Sequence, residues 1–258
     1  MSSVLRSQNL NDQGFRHGFS TRRGGVSQGV YSSLNLGRSV GDDPAAVAEN
    51  QRRFAAAVGY EPERLFEINQ VHGNAVRVLR ADDSLVQVRN EPGDGLVARD
   101  GAAIAVRSAD CVPILLADPV SRGVAALHAG WRGCVAGVVP AGVQALRMLA
   151  EADAGRLVAA LFPHIRACCF EVGPDVAGAL AAAASGAAAD QAGVVEARGD
   201  KPHVSLERLI FLQLVAAGVP AARIELLPGC TRCDAQRFFS YRRDGRISGR
   251  HVTAIVSA

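Results

Sequence analysis

Residues 95–130 read GLVARDGAAIAVRSADCVPILLADPVSRGVAALHAG, and four short apolar runs crowd into them: Gly95 to Ala98, Ala102 to Val106, Ile114 to Ala117 and Gly123 to Leu127. Each is bounded by Asp, Gly, Ser or Pro, too short for a helix and punctuated like a strand. Strands this closely spaced, in a chain that shows helical patterns elsewhere, indicate a mixed α+β fold.

Working outward, His17 to Thr21 reads as a strand, and Gly24 to Gly37 as a turn-rich loop of the kind that carries function. Asp42-Asp43-Pro44 offers an N-cap and a first-turn proline, Ala45 to Val58 is helix-forming, and Gly59 supplies the stop. Arg64 to Asn69 and Asn74 to Leu79 read as strands on either side of a His72-Gly73 turn. Val138 to Ala152, Pro174 to Ala184 and Leu206 to Ala217 read as helices, the last closed by Gly218. Leu157 to Phe162 is a buried strand, and Ile224 to Leu227, Phe238 to Tyr241 and Val252 to Val256 complete the mixed pattern. The Ala-rich stretch Ala177 to Ala192 reads as a helix fraying into a surface loop. With no repeat and no Pro/Ser-rich linker, residues 1–258 are expected to form one domain.

A chain of 258 residues, 48% hydrophobic, can bury a core without staples. Its net charge of +3 is scattered, so nothing calls for a nucleic-acid or membrane partner. Met1 to Ser7 lacks the apolar core of a secretory signal and no run is long enough to span a bilayer, which leads to an expectation of a soluble, cytoplasmic protein with reduced thiols. Lys201 is the only lysine, so an arginine at a given place says little by itself. The residues specify no oligomeric state.

Three segments carry metal-competent side chains to apparent strand ends: Gln70-Val71-His72-Gly73, Ala109-Asp110-Cys111-Val112-Pro113 and Leu127-His128-Ala129-Gly130-Trp131-Arg132-Gly133. His72, Cys111 and His128 together suggest a two-His, one-Cys zinc site, and three protein ligands with an open fourth position is the catalytic pattern. Against this, a lone Cys is commonly a small buried apolar residue and a His beside Gly a hydrogen-bonded loop residue. Small neighbours at Gly73, Ala129 and Gly130 favour close approach by a ligand. Asp110 is a second-sphere acceptor, a general base or a turn former.

Other motifs give less. Gly25-Val26-Ser27-Gln28-Gly29 matches G-x-S-x-G, but a turn-rich loop follows where a nucleophile elbow needs a helix. Cys230-Thr231-Arg232-Cys233 has C-x-x-C spacing without a second such pair, which points to a structural or incidental role. H-E-x-x-H, the P-loop, G-x-G-x-x-G and the zinc deaminase signature do not occur.

His17-Gly18-Phe19-Ser20-Thr21-Arg22, Gly24-Gly25-Val26-Ser27, Ser33-Leu34-Asn35-Leu36-Gly37, the three ligand segments and Phe239-Ser240-Tyr241-Arg242-Arg243-Asp244 resemble, in order, the purine nucleoside phosphorylase family formerly called polyphenol oxidases or laccase-domain proteins. The resemblance spans nearly the whole chain. It implies a single domain of β-sheet layered with helices, related to cysteine-hydrolase-like toxin domains, with zinc on His72, Cys111 and His128. It also implies phosphorolysis of adenosine, inosine and methylthioadenosine, with adenosine deamination as a further activity, whereas the older label implies copper oxidation of phenols. Two departures stand out: Phe162 precedes Pro163-His164-Ile165 where the family has Gly, and Ser205-Leu206 stands where it has an acidic residue.

For phosphorolysis, Arg22 and Arg132 are the first candidates for phosphate, with Arg242 and Arg243 next, and Asn35 and Gln70 are candidates for sugar or base. Asp110, Cys111 and Arg22 are the candidate catalytic residues. Rival readings are a metal-free Cys111–His128 dyad of cysteine-hydrolase or amidase type, and a binding module whose metal is closed by a fourth ligand, Cys134 or Cys230. Copper is disfavoured because coupled copper centres need many more histidines than the six here.

Overall fold

The computed structural model describes residues 3–184 and 193–257. In chain order the strands are β1 (Val4–Leu5), β2 (His17–Ser20), β3 (Leu65–Phe66), β4 (Val76–Val78), β5 (Gly95–Ala98), β6 (Ala103–Ser108), β7 (Val112–Ala117), β8 (Val124–Ala129), β9 (Val158–Leu161), β10 (Val195–Arg198), β11 (Lys201–Val204), β12 (Ile224–Leu226) and β13 (His251–Val256). The helices are α1 (Gln8–Asp12), α2 (Pro44–Val58), α3 (Leu85–Asn90), α4 (Trp131–Ala136), α5 (Val138–Ala150), α6 (Pro174–Ala183), α7 (Leu206–Ala216) and α8 (Tyr241–Asp244).

A five-stranded sheet, β1-β2-β13-β6-β3, packs on a six-stranded sheet, β12-β9-β7-β8-β5-β4, and β10 and β11 form a separate hairpin. Between the sheets lie Phe19, Leu96, Ile104, Leu115, Ala126 and Ile255. On the far side of the larger sheet, Val97, Ile114, Leu116 and Leu127 meet Val143 and Leu146 of α5 and Leu209 and Leu214 of α7. On the far side of the smaller one, Ala105, Val252 and Ala254 meet Phe54 and Val58 of α2. The result is a single mixed α+β domain layered helix, sheet, sheet, helix.

Every residue of β5, β7 and β8 is buried, because successive side chains point to opposite faces and both faces are covered. This is why the runs in residues 95–130 are apolar throughout instead of alternating. Full burial of each Leu or Val in them contributes roughly 1.5–3 kcal/mol. The helix layer comes close because α5 presents Gly142 to the sheet: a Cβ there would stand 2.4 Å from Leu127 Cδ1.

The expected helices form. Asp43 caps α2 by accepting from the Ala45 N–H, and Gly59 closes it at φ 95°. Ser205, despite departing from the family's acidic residue, caps α7 by accepting from the Arg208 N–H. The strands expected over Arg64 to Asn69 and Asn74 to Leu79 form ladders only over β3 and β4, with an isolated bridge between Asn69 and Pro92.

Phe238 to Tyr241 is a correction, for no strand forms there. Phe238 and Phe239 are apolar because they plug the end of the sandwich, with rings 5.9 and 5.4 Å from His251, and Ser240 then caps α8. The loop expected over 185–192 lies outside the described residues. Among the described residues no helix is long and apolar enough to cross a membrane.

Candidate metal centre

Strand register gathers the site at one end of the six-stranded sheet. β7 and β8 are antiparallel with Val112 opposite Ala129, so Cys111, just before β7, lies beside the end of β8 that carries His128. β5 and β8 are antiparallel with Gly95 opposite Leu127, and the His128 N–H donates to the Asp94 carbonyl at 2.8 Å. β4 runs parallel to β5 with Val76 opposite Gly95, which sets the His72 loop against Asp94. Residues distant in sequence therefore converge through pairing alone.

His72, Cys111 and His128 stand with one ligand atom each within 4.8 Å of the others. Cys111 Sγ is 3.9 Å from His72 Nε2, and the two imidazole rings are 4.9 Å apart and edge to face. Tetrahedral zinc with Zn–S of about 2.3 Å and Zn–N of about 2.0–2.1 Å puts S and N about 3.6 Å apart, so Cys111 Sγ and His72 Nε2 need to close by only a few tenths of an ångström. Two imidazoles and a thiolate are a donor set that suits zinc. His72 is exposed, Cys111 half-buried and His128 buried, so the group opens to solvent on the His72 side. Gly130 makes the closeness possible, since a Cβ there would stand 2.9 Å from His72 Cδ2 and 3.1 Å from Cys111 Sγ.

Asp94, fully buried, organises this centre. Its Oδ1 meets His128 Nδ1 at 2.8 Å and accepts the His72 N–H at 3.0 Å, while Oδ2 accepts the Val71 and Gly73 N–H groups at 3.2 and 2.6 Å. A carboxylate is an acceptor only, so His128 carries a proton on Nδ1 and a neutral ring turns the Nε2 lone pair toward the site. The same carboxylate fixes the backbone that presents His72 in the left-handed region, at φ 61°. Burial would raise its pKa, and the His128 and Gly73 hydrogen bonds override that and lower it.

The thiol and imidazole are tuned together. Burial alone would raise Cys111, but the neighbouring His128 and His72 rings bring it down to about 6. Burial alone would lower His128, but the Cys111 thiolate and Asp94 lift it to about 9. The thiolate needed by a metal or a nucleophile is thus present at neutral pH.

Asp110, at φ 98°, accepts from Thr231 Oγ1, from Ser240 Oγ at 3.0 Å and from the Arg242 N–H at 2.6 Å. It ties the chain just before Cys111 to the 231–242 segment. Other expected site residues are also engaged inside the fold. Arg22 donates Nε to the Ser32 carbonyl and Nη1 to that of Ala235, with its guanidinium over Phe239. Buried Asn35 donates to Asp42 and accepts from the Gly37 and Arg250 N–H groups. Gln70 donates to the Arg107 carbonyl and accepts the Arg107 N–H, both at 2.7 Å. Arg242 donates to the Glu171 carbonyl, and Arg243 donates to Asp244 and to the carbonyls of Thr231, Arg232 and Phe238. Arg132 is exposed, its guanidinium 4.4 Å from the Trp131 ring.

Asp94 and Arg250 were not singled out in the sequence. Arg250 precedes β13, donates Nη1 to the Ser248 and Gly249 carbonyls, lies near enough to Asp110 and Cys111 to feel their charge, and has its guanidinium 5.8 Å from the Tyr241 ring. Of the cysteines considered as a fourth ligand, Cys134 is buried in the apolar core and Cys230 lies in a separate cysteine group. Among the described residues no other His, Cys, Asp or Glu joins the three donors.

Residues 16–258 match the family model described as multi-copper polyphenol oxidoreductase laccase. A purine nucleoside phosphorylase of Streptomyces coelicolor is 42% identical over 243 residues, covering 92% of this chain and 94% of that protein. An adenosine deaminase, RL5, of an unknown prokaryotic organism is 40% identical over 245 residues, covering 92% of each. The fold matches YlmD of Geobacillus stearothermophilus with a TM-score of 0.90 at 30% identity, covering 99% of this chain and 96% of that one. A Neisseria meningitidis protein, NMB0706, matches with a TM-score of 0.81 at 34% identity, covering 99% of each. Matched along nearly its whole length in sequence and in fold, the chain belongs to the laccase-domain family that its motifs resemble, described as the multi-copper polyphenol oxidoreductase laccases.

Proposed function

We propose that this chain is a zinc-dependent purine nucleoside phosphorylase acting on adenosine, inosine and methylthioadenosine, with adenosine deamination as a second activity of the same centre. The names of the relatives supply the reaction class. The observation that carries the reading is the three-donor group of His72, Cys111 and His128, oriented by Asp94 and open toward solvent. Held by these residues, zinc would supply Lewis acidity to a bound group.

In this reading the chain's own residues bind and orient the substrates. The Arg250 guanidinium is anchored through Nη1, so its remaining N–H groups are held ready for the phosphate anion. Arg132, just beyond Gly130, is the second phosphate contact. Tyr241, 49% exposed and beside Arg250, offers a ring on which a purine stacks. Asp110, Arg22, Asn35, Gln70, Arg242 and Arg243 act as positioning residues, since their hydrogen bonds hold the loops around the centre.

Histidine use also supports zinc over coupled copper. Of the six histidines, His17, His164, His203 and His251 each spend a ring nitrogen on a backbone carbonyl or amide, leaving two at this centre.

The test is incubation with each nucleoside, with and without phosphate, followed by chromatography. Free base and ribose 1-phosphate that form only with phosphate support phosphorolysis, and inosine formed from adenosine supports deamination. Base and free ribose without phosphate would make the protein a hydrolase, and no product at all would end the enzymatic reading.

The second reading, a Cys111–His128 dyad, is favoured by the lowered thiol and raised imidazole. It requires protein that is isolated metal-free with Cys111 rapidly alkylated at neutral pH.

A further inference from the structure

Cys168, Cys169, Cys230 and Cys233 lie outside the centre just described, yet their four sulfurs stand within 4.8 Å of one another. Cys233 Sγ is 3.2 Å from Cys169 Sγ and 3.6 Å from Cys168 Sγ. Four sulfurs at about 2.3 Å from one tetrahedral zinc are about 3.8 Å apart, whereas a disulfide needs about 2.05 Å. The second pair that the C-x-x-C motif lacked in sequence is the vicinal one, brought in by the fold.

We propose that these four cysteines bind one zinc ion as a closed structural site, separate from the His72–Cys111–His128 centre. Cys230 to Cys233 form a turn in which the Cys230 carbonyl accepts the Asp234 N–H, and the vicinal pair sits on a turn closed by the Cys169 and Phe170 N–H groups on the Arg166 carbonyl. The two turns are already joined by a bridge between His164 and Cys230. Cys169 and Cys230 are buried while Cys168 and Cys233 face solvent, which gives the ion an entry path. Binding forms four Zn–S bonds and releases the thiol protons to solvent.

Arg232 bonds Cys169 and offsets part of the negative charge of a four-thiolate site. The consequence reaches the other centre. Thr231, inside the C-x-x-C turn, donates to Asp110, so zinc here locks the segment that holds the chain preceding Cys111.

The test is metal analysis of protein purified without air, expected to give one zinc for each donor group, two per chain. Cys168→Ser and Cys233→Ser, both at exposed positions, should each lose one zinc and keep the other, while His72→Ala should lose only the other. If protein is isolated without zinc here, cobalt added to His72→Ala protein should give the intense thiolate charge-transfer band of a four-sulfur site, displaced by zinc. A wild-type chain holding one zinc that neither cysteine variant changes, no cobalt band in zinc-free His72→Ala protein, or a disulfide to Cys233 in the anaerobic protein would each overturn the proposal.

Discussion

Replacing Asp94 by Asn tests the carboxylate that joins His128 to the His72 loop. The side chains are nearly the same size, so packing is preserved and only hydrogen bonding changes. Asn has one oxygen and one donor NH2, and all four partners of Asp94 are N–H groups. If the NH2 replaces Oδ1, it faces His128 and the His72 N–H. His128 can answer only by moving its proton to Nε2, the atom that would hold the proposed metal. If the NH2 replaces Oδ2, the Val71 and Gly73 N–H groups are orphaned and the His72 loop loses its anchor. With the His128 proton kept on Nδ1, or with Oδ2 replaced, two donors go unmet, and at about 1 kcal/mol for each the loss is about 2 kcal/mol. That corresponds to roughly thirtyfold in metal affinity, within the tenfold to hundredfold range usual for partners of this kind. The assay is competition with a chromophoric chelator, made in a Cys233→Ser background so that only this centre is read. Affinity within twofold of the parent, with an unchanged melting temperature, would refute the role assigned to Asp94.

Gly130→Ala places a methyl 2.9 Å from His72 Cδ2 and 3.1 Å from Cys111 Sγ, and is expected to weaken metal binding by roughly tenfold in the same competition assay, since ligand placement tolerates about 0.5 Å. His251, held near a pKa of about 3 by burial, stays neutral in the fold while the unfolded chain takes up its proton below 6.5, so stability falls as pH drops from 6.5 toward 3. At pH 5 this costs about 2 kcal/mol, and denaturant titrations should show His251→Gln losing that share of the pH slope. Arg250→Gln should raise the KM for phosphate by roughly tenfold or more with metal content unchanged, as expected on losing a charged donor.

Much of the architecture is legible in the chain because its signals are local. The cap at Asp43, the stop at Gly59 and the apolar runs of β5 to β8 act through immediate neighbours and pairing partners close in sequence. The three donors are visible because His and Cys beside glycine are chemically distinctive. Asp94 is not, since its four contacts come from two other segments and exist only once β4, β5 and β8 are in register. Arg250 is hidden for a different reason: in a chain with almost no lysine, one arginine looks like any other. Phe238 and Phe239 mislead because burial at the end of the sandwich and burial in a sheet leave the same apolar trace. The four-cysteine group is missed because half of it is vicinal, a spacing that becomes a ligand pair only when a turn splays the two side chains.

In the proposed enzyme His72, Cys111 and His128 hold one metal ion with a position left for substrate. An anomalous difference map at the zinc edge, from crystals of metal-replete protein, tests it most directly. The expected result is a peak about 2.0–2.1 Å from both imidazole nitrogens and about 2.3 Å from Cys111 Sγ, with no fourth protein ligand. A map with no peak among these three residues, or a metal closed by a fourth side chain, would contradict it.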